Sequence, residues 1–274
     1  MGTKSKLAAV FALGVLAGIG VQHRWPLGRI RDEFSTRPAS APRTTADLAA
    51  LPRARRLVVV AVGQSNAANF GATRGAAGAG VYAFARGELF QATDPLPGGD
   101  GYGGSVWTRL GARLIAAGDR EAVVFAVVAK GSTRVTDWAP SGPEHPRLIS
   151  TLRDLAAAGL PPDAICWWQG ETEGRDPAAA GHDYAAALAA LVAACRAAAP
   201  EAVFLAAQST THADSPANQQ IRLAQTAAPA TRPGPDLDRL GAEFRADGTH
   251  LNARGLDAAA ALWLEALRRE LPRP

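Results

Sequence analysis

Cysteine is nearly absent from this sequence, which has only Cys166 and Cys195 in 274 residues. Their spacing matches neither a CxxC motif nor a zinc site, so neither a redox motif nor structural zinc is indicated. We expect both to be small buried hydrophobic side chains. A disulfide between them stays open as an alternative if the chain is exported.

Signatures of several other protein classes are missing as well. The glycine-rich stretch at residues 75–80 lacks the lysine and Ser/Thr of a phosphate-binding loop, no GxGxxG follows a predicted strand, and no metal-ligand cluster is seen. The net charge of +4 comes with arginines scattered along the chain, without a basic run interleaved with aromatics. We therefore predict no cofactor, no metal and no nucleic-acid partner.

The first 30 residues have the pattern of an export segment. Lys4 and Lys6 precede an uncharged apolar run at residues 7–21, as in the n- and h-regions of a signal peptide. This run is short for a membrane span, which needs about 20 residues. Since no clean cleavage site follows, a cleaved signal peptide and an uncleaved signal anchor both stay open. We expect an exported protein, periplasmic or extracellular, that is either secreted or attached to the membrane through this segment.

A linker and one folded domain are expected after this segment. Residues 31–55 are rich in Pro, Ala, Arg, Ser and Thr, a composition typical of a flexible linker, with a short helix near residues 47–51. The domain at residues 56–274 is long enough to bury a large core without disulfides.

The strongest pattern in the domain is the apolar run at residues 57–62, which ends at Gly63-Gln64-Ser65-Asn66. So short and β-branched a run predicts a strand buried on both faces. In open α/β sheets, ligands bind outside the carboxyl ends of such strands. Ser65 is therefore expected at the edge of a cleft.

Further strands are predicted to alternate with helices. The sequence predicts strands at residues 81–85, 122–128, 164–168 and 202–207, and helices at 105–118, 145–160, 184–199, 219–226 and up to 269. This alternation favours right-handed crossovers and a mainly parallel sheet. We predict an α/β fold, a three-layer α/β/α sandwich with a flavodoxin-like parallel five-stranded sheet of order 2-1-3-4-5.

Four of these strands end in polar turns, which a parallel sheet places at one edge. The turns are Gln64-Ser65-Asn66, Lys130-Gly131-Ser132, Gln169-Gly170-Glu171 and Gln208-Ser209. Each alone is weak evidence, because serine and asparagine are common in turns.

A second candidate group is Asp247-Gly-Thr-His250, just ahead of the last helix. An aspartate three residues before a histidine can orient the imidazole and stabilise its protonated form. His212, near Asp214 after the fifth strand, is a rival base.

Together these segments resemble the SGNH hydrolase superfamily, and more closely the sialate O-acetylesterase and acetylxylan esterase group, carbohydrate esterase family 6. The resemblance covers residues 57–265. It is carried by Gly63-Gln64-Ser65-Asn66, by Gly104 ahead of a helix that contains Trp107, by Trp168-Gln169-Gly170-Glu171 and by Asp247-Gly248-Thr249-His250-Leu251.

The resemblance implies a role for each of these residues. Ser65 would be the nucleophile, His250 the base and Asp247 its orienter, with backbone N–H groups of Ser65 and Gly104 in the oxyanion hole. Many SGNH enzymes complete the hole with an asparagine, and here the matching position is Gln169. The resemblance also suggests substrate-contacting side chains, for which the candidates are Gln64, Asn66, Ser132 and Glu171; Glu171 could instead orient the site.

The expected activity is that of a carboxylic ester hydrolase, a serine esterase that removes short acyl groups, acetyl first, from a carbohydrate. Two alternatives stay open. One is a membrane-anchored O-acyltransferase that uses the same triad on an envelope glycan. The other is a glycan-binding domain that keeps the fold without catalysis.

Overall fold

The computed structural model describes residues 41–176, 178, 181–213 and 215–272. Its seven strands, β1 to β7 in chain order, are Arg56–Gly63, Val81–Ala85, Glu88–Gln91, Ala122–Ala129, Ala164–Trp168, Val203–Gln208 and Arg232–Asp236. The α-helices of the described ranges, α1 to α8, are Thr45–Ala49, Val106–Ala116, Val135–Trp138, His145–Ala157, Glu171–Gly174, Gly181–Ala198, Gln219–Ala227 and Ala253–Glu270. Short 3-10 turns lie at Arg53–Arg55, Ser65–Ala67, Leu237–Arg239 and Ala242–Phe244.

The strands form one sheet of order β3-β2-β4-β1-β5-β6-β7. β3 is antiparallel to β2, and every other pairing is parallel. The α/β class is confirmed, but the predicted five-strand order 2-1-3-4-5 is wrong. β1 lies between β4 and β5, so β4 separates it from β2. All eight residues of β1 pair in register with the eight of β4, an extent of pairing that no local pattern encodes.

The two edge strands, β3 and β7, were not predicted. β2 and β3 form a hairpin joined by Arg86-Gly87, both with positive φ (55° and 77°). This is the backbone of a primed turn, whose twist matches that of paired strands. β7 reads Arg-Pro-Gly-Pro-Asp, which has no apolar alternation. Proline is tolerated there because an edge strand has one unpaired side.

The central strands are buried on both faces, as predicted. Alternate side chains of β1 enter two separate hydrophobic cores. Val59 and its same-face neighbours pack with α2 and α8, whereas Val58 and its neighbours pack with α4 and α6. Helices therefore cover both sides of the sheet, and the carboxyl ends of the strands are left to the loops.

The cysteines lie in different cores. Cys166 on β5 packs in the same core as α2 and α8, and Cys195 on α6 packs in the other. Both are free thiols. Burial raises the pKa of the Cys195 thiol to about 12. Both side chains are buried, as expected, and the disulfide left open above is not formed in this structure.

The export segment expected over residues 1–30 lies outside the described residues. In the described part of the expected linker, α1 begins after a capping box between Thr44 and Asp47, and its Leu48 is fully buried. This part of the linker is thus packed on the domain. None of the helices in the described ranges has the length and apolarity needed to span a membrane.

Two fully buried tryptophans allow a matched stability test. Trp107 and Trp263 pack together with a centroid separation of 5.5 Å. Trp107 Nε1 donates to the Ala67 carbonyl at 2.7 Å, whereas Trp263 Nε1 has no hydrogen-bond partner among the described residues. Trp107→Phe and Trp263→Phe remove the same volume, but only the first leaves a buried carbonyl unpaired. We expect Trp107→Phe to lower the free energy of unfolding by about 1–3 kcal/mol more than Trp263→Phe. Urea titrations of both variants measure this difference, and equal losses would contradict it.

Candidate active site

The carboxyl ends of β1, β4, β5 and β6 meet at one edge of the sheet, and the polar turns that follow them are in contact. Gln169 Nε2 donates to Gln64 Oε1 at 3.1 Å, which joins the turns after β5 and β1. Ser209 Oγ donates to Glu171 Oε1 at 2.8 Å, which joins the turns after β6 and β5. The predicted gathering of polar turns at one edge is therefore present.

Ser65 begins a 3-10 turn directly after β1 and is 5% exposed. Gly63 permits this turn in two ways. Its φ of 144° is a backbone angle that residues with a side chain rarely adopt, and a Cβ there would overlap the carbonyl oxygen of Trp168. The end of the turn is held at Ala67, whose carbonyl accepts the indole N–H of Trp107 at 2.7 Å.

Asp247 and His250 form a closed loop ahead of α8. Asp247 Oδ2 lies 2.7 Å from His250 Nδ1, and its Oδ1 accepts the backbone N–H groups of Thr249 and His250 at 2.9 and 2.7 Å. Burial raises the pKa of Asp247, but these hydrogen bonds outweigh it and hold the pKa below its usual value. The carboxylate is therefore ionised at neutral pH. It sets the tautomer with a proton on Nδ1 and leaves Nε2 as the basic nitrogen.

The histidine loop is attached to the segment that carries Ser65. Phe70 stacks on the imidazole of His250, with ring centroids 5.1 Å apart and planes 24° apart. The carbonyl of Thr249, one residue before His250, lies 3.4 Å from Asn66 Nδ2. Among the described side chains Ser65 and His250 are not hydrogen-bonded to each other. Their immediate neighbours make the contact between the two loops.

Two of the predicted oxyanion donors are already engaged. The backbone N–H of Gly104 donates to the Gly71 carbonyl at 2.8 Å. Gly104 is needed for close packing, since a Cβ there would overlap the carbonyl of Thr73. Gln169 is fully buried, and its amide nitrogen lies within hydrogen-bond distance of Gln64, Glu173 and the Thr133 carbonyl. Both groups therefore have partners within the protein, and their roles as oxyanion donors, like that of the Ser65 backbone N–H, stay predictions.

Three of the four predicted substrate-binding residues are largely buried. Glu171 is fully buried, Gln64 is 2% exposed and Asn66 is 7% exposed. Each is hydrogen-bonded within the protein, and Gln64 Oε1 accepts the Thr172 N–H at 3.2 Å as well as the Gln169 amide. Ser132, in contrast, is exposed and has a φ of 60°. Of these four residues, Ser132 alone is exposed.

Three buried titratable side chains, those of Glu171, Glu173 and Arg245, lie near these turns. Burial raises the pKa values of Glu171 and Glu173, against hydrogen bonds that lower them. Burial lowers the pKa of Arg245, while Glu171 and nearby aspartates oppose this. Glu173 accepts the Val135 N–H at 2.7 Å, which anchors the start of α3. Sequence reasoning missed Glu173 and Arg245, although each lies only two residues outside a motif that it had singled out.

The rival base His212 lies beside the histidine loop, where the Ala213 N–H donates to Thr249 Oγ1 at 3.0 Å. Its Nε2 is 3.4 Å from Arg175 Nη1. Burial and then the guanidinium lower the pKa of His212, so its protonated form is disfavoured. Asp214 lies outside the described residues. His250, which faces a carboxylate, is the better placed base.

No part of the described chain groups three or more His, Cys, Asp or Glu side chains in a way that could hold a metal ion.

Solved structures with the same fold include a protein from Arabidopsis thaliana, with a TM-score of 0.67, 14% identity, and coverage of 80% of this chain and 99% of that one. NanS aligns with a TM-score of 0.56 and 15% identity, over 79% of this chain and 97% of its own. A carbohydrate esterase of family 3 from Talaromyces cellulolyticus aligns with a TM-score of 0.50 and 15% identity, over 78% and 97%. At these identities the likeness shows the fold. No curated protein matches the sequence.

A model of one protein family matches residues 55–267, a range that contains all the strands of the described residues and the strand-end site. The description of that family is carbohydrate esterase, sialic acid-specific acetylesterase. The chain therefore belongs to this family, within the SGNH and sialate O-acetylesterase group, and is a carboxylic ester hydrolase.

Proposed function

We propose that the protein is a carbohydrate O-acetylesterase in which Ser65, His250 and Asp247 act as a catalytic triad. The observation that carries this proposal is the 2.7 Å contact between Asp247 and His250 Nδ1, on a loop that is joined to the nucleophile turn. It leaves Nε2 as the basic nitrogen, on the side chain that Phe70 holds in place. Family membership supports an acetylated carbohydrate as the substrate.

In the first half of the reaction, Ser65 Oγ attacks the carbonyl carbon of the acetyl ester, and its proton passes to His250 Nε2. Asp247 stabilises the imidazolium that forms. The tetrahedral oxyanion accepts a hydrogen bond from the backbone N–H of Ser65. Collapse breaks the bond to the sugar oxygen, which takes the proton from His250 and leaves as the alcohol, with the acetyl group on Ser65.

Water then takes the place of the sugar. His250 removes a proton from the water as it attacks the acetyl-serine carbonyl. Collapse of the second tetrahedral species breaks the bond to Ser65 Oγ, which recovers the proton from His250. Acetate is released and the enzyme returns to its starting state. Transfer of the acetyl group to a second sugar would differ only in the acceptor.

The first prediction concerns the nucleophile. Ser65→Ala in the full chain should lower hydrolysis of a chromogenic acetate ester by about 1,000-fold or more, because no other group can form the acyl-enzyme. It should also abolish covalent labelling by an organophosphate. Ser150→Ala, which changes an exposed serine on α4, is the matched control and should keep wild-type turnover. Full activity in Ser65→Ala would refute the proposed triad.

The second prediction concerns the orienting carboxylate. Asp247→Asn keeps the size of the side chain but removes the charge that favours protonated His250. We expect kcat to fall by about 100- to 10,000-fold, and the low-pH limb of kcat/KM to move to lower pH, since the imidazolium loses its partner. Asp247 itself stays ionised across the pH range of this limb, because its pKa is lowered.

Measurement of kcat/KM against pH for wild type, Asp247→Asn and Asp257→Asn tests this. Asp257 is an aspartate on α8 that pairs with Arg109 instead of a histidine. Its variant should follow the wild-type profile. An unchanged pH profile for Asp247→Asn would mean that a group other than Asp247 stabilises the protonated form of His250.

A further inference from the structure

Among the residues that the structure describes, Tyr102 is the only aromatic side chain that is exposed, at 45%. It belongs to the connection between β3 and α2, at residues 92–105. An aromatic ring left in water forgoes a large hydrophobic gain, and an exposed apolar side chain beside a functional site often marks a surface that binds a ligand. The surroundings of Tyr102 show which ligand such a surface would suit.

The backbone around Tyr102 is fixed by the segment that follows the nucleophile turn. The Asn69 N–H donates to the Asp100 carbonyl at 2.9 Å, and the Gly103 N–H donates to the Asn69 carbonyl at 2.6 Å. Arg74 Nε donates to the carbonyl of Tyr102 itself at 2.6 Å. Tyr102 is therefore presented by a backbone that is hydrogen-bonded before, at and after it.

Tyr102 follows a residue that packs against the ring stacked on the catalytic histidine. A Cβ on Gly101 would lie 2.8 Å from two atoms of the Phe70 ring, so the backbone of Gly101 touches that ring. Phe70 in turn stacks on the imidazole of His250, with ring centroids 5.1 Å apart. The loop thus places Tyr102 beside the proposed triad.

The turn after β4 packs on the same ring. A Cβ on Gly131 would lie 3.2 Å from Phe70, and the Gly131 N–H donates to Asp100 Oδ2 at 3.1 Å, which joins this turn to the loop of Tyr102. Ser132, the next residue, is exposed. Phe70 is therefore contacted by two loops, and each carries an exposed side chain directly after the glycine that touches the ring.

An exposed aromatic ring suits one part of a carbohydrate in particular. A pyranose has faces made of C–H bonds and a rim of hydroxyl groups. The face of an aromatic ring is electron-rich and attracts the partly positive hydrogens of such C–H bonds, and stacking removes apolar surface of both rings from water. The hydroxyl of a tyrosine can stay in water while its ring is covered.

We propose that Tyr102 is a specificity-determining residue, whose ring is a stacking platform for a sugar ring of the acetylated carbohydrate. This inference rests on the proposed function and deepens it, because it assigns a contact to the sugar instead of the acetyl group. The platform contacts the sugar in the ground state and in the transition state alike. Its loss therefore weakens binding of sugar esters and leaves the chemistry of the triad unchanged.

Two kinds of acetate ester separate the platform from the triad. Ethyl acetate has no ring, whereas xylose tetraacetate and an O-acetylated sialic acid both present a pyranose. Of these two sugar esters, the one that wild type hydrolyses faster is used, and the released acetic acid is titrated at constant pH. Nitrophenyl acetate is unsuitable, because its leaving group is itself a ring that could stack on Tyr102.

Full-length Tyr102→Ala should raise KM for the sugar ester about 5- to 30-fold, with kcat within about twofold of wild type, because a stacked apolar contact is lost. Its hydrolysis of ethyl acetate should equal that of wild type. Tyr102→Phe keeps the ring and should match wild type on both esters.

Leu223→Ala is the matched control, because it removes the other exposed large apolar side chain of the described residues, which is 67% exposed on α7. It should match wild type on both esters. Circular dichroism, together with turnover of ethyl acetate, shows that each variant is folded.

Three results would overturn the inference. They are an unchanged KM for the sugar ester in Tyr102→Ala, an equal loss on both esters, which would mean a disturbed loop, and a loss in Tyr102→Phe as large as in Tyr102→Ala, which would assign the effect to the hydroxyl. Any of these together with an inactive Ser65→Ala would reject only this inference. Wild type that hydrolyses ethyl acetate but neither sugar ester would instead reject a carbohydrate as the substrate, and Ser65→Ala that hydrolyses ethyl acetate at the wild-type rate would reject the triad.

Discussion

The contact between Gly63 and the Trp168 carbonyl determines where the functional residues of this protein lie. β1 and β5 pair up to Gly63 and Trp168, and the Gln64 N–H continues the pairing with a 3.1 Å hydrogen bond to the Trp168 carbonyl. The two strands therefore leave the sheet at the same level, and the turns after them emerge side by side. Any side chain at Gly63 would overlap that carbonyl and separate them. The contacts of Gln64 with Gln169, and of Asn66 with Glu171, depend on this close approach.

Local sequence patterns predicted much of the fold and the central residues of the site. The run before Gly63 predicted a strand buried on both faces, because only a parallel central strand needs apolar side chains on both sides. The positions of Ser65, Asp247 and His250 followed from turn chemistry and from the resemblance to a known superfamily. The contact between Asp247 and His250 is local, and three residues of separation were enough to predict it.

Features that depend on distant partners were not predictable in the same way. Strand order depends on where a crossover docks, and nothing in residues 122–129 shows that they pair along the whole of β1. Gly104 and Gln169 carry suitable N–H groups, but whether these are free depends on Gly71 and Gln64, which lie far away in sequence. Glu171 and Asn66 are polar and near the nucleophile, so they suggested substrate contacts. In the structure they are hydrogen-bonded to each other, across 105 residues of sequence.

The placement of the two cysteines has a consequence for the maturation of the chain. The sheet lies between Cys166 and Cys195, so the thiols cannot meet without opening a core. No disulfide therefore contributes to the native state, and neither a thiol oxidase nor a disulfide isomerase is needed to reach it. The same structure can form in a reducing compartment and in an oxidising one. The folded domain is thus indifferent to the redox potential of the place where it is made and of the place where it acts.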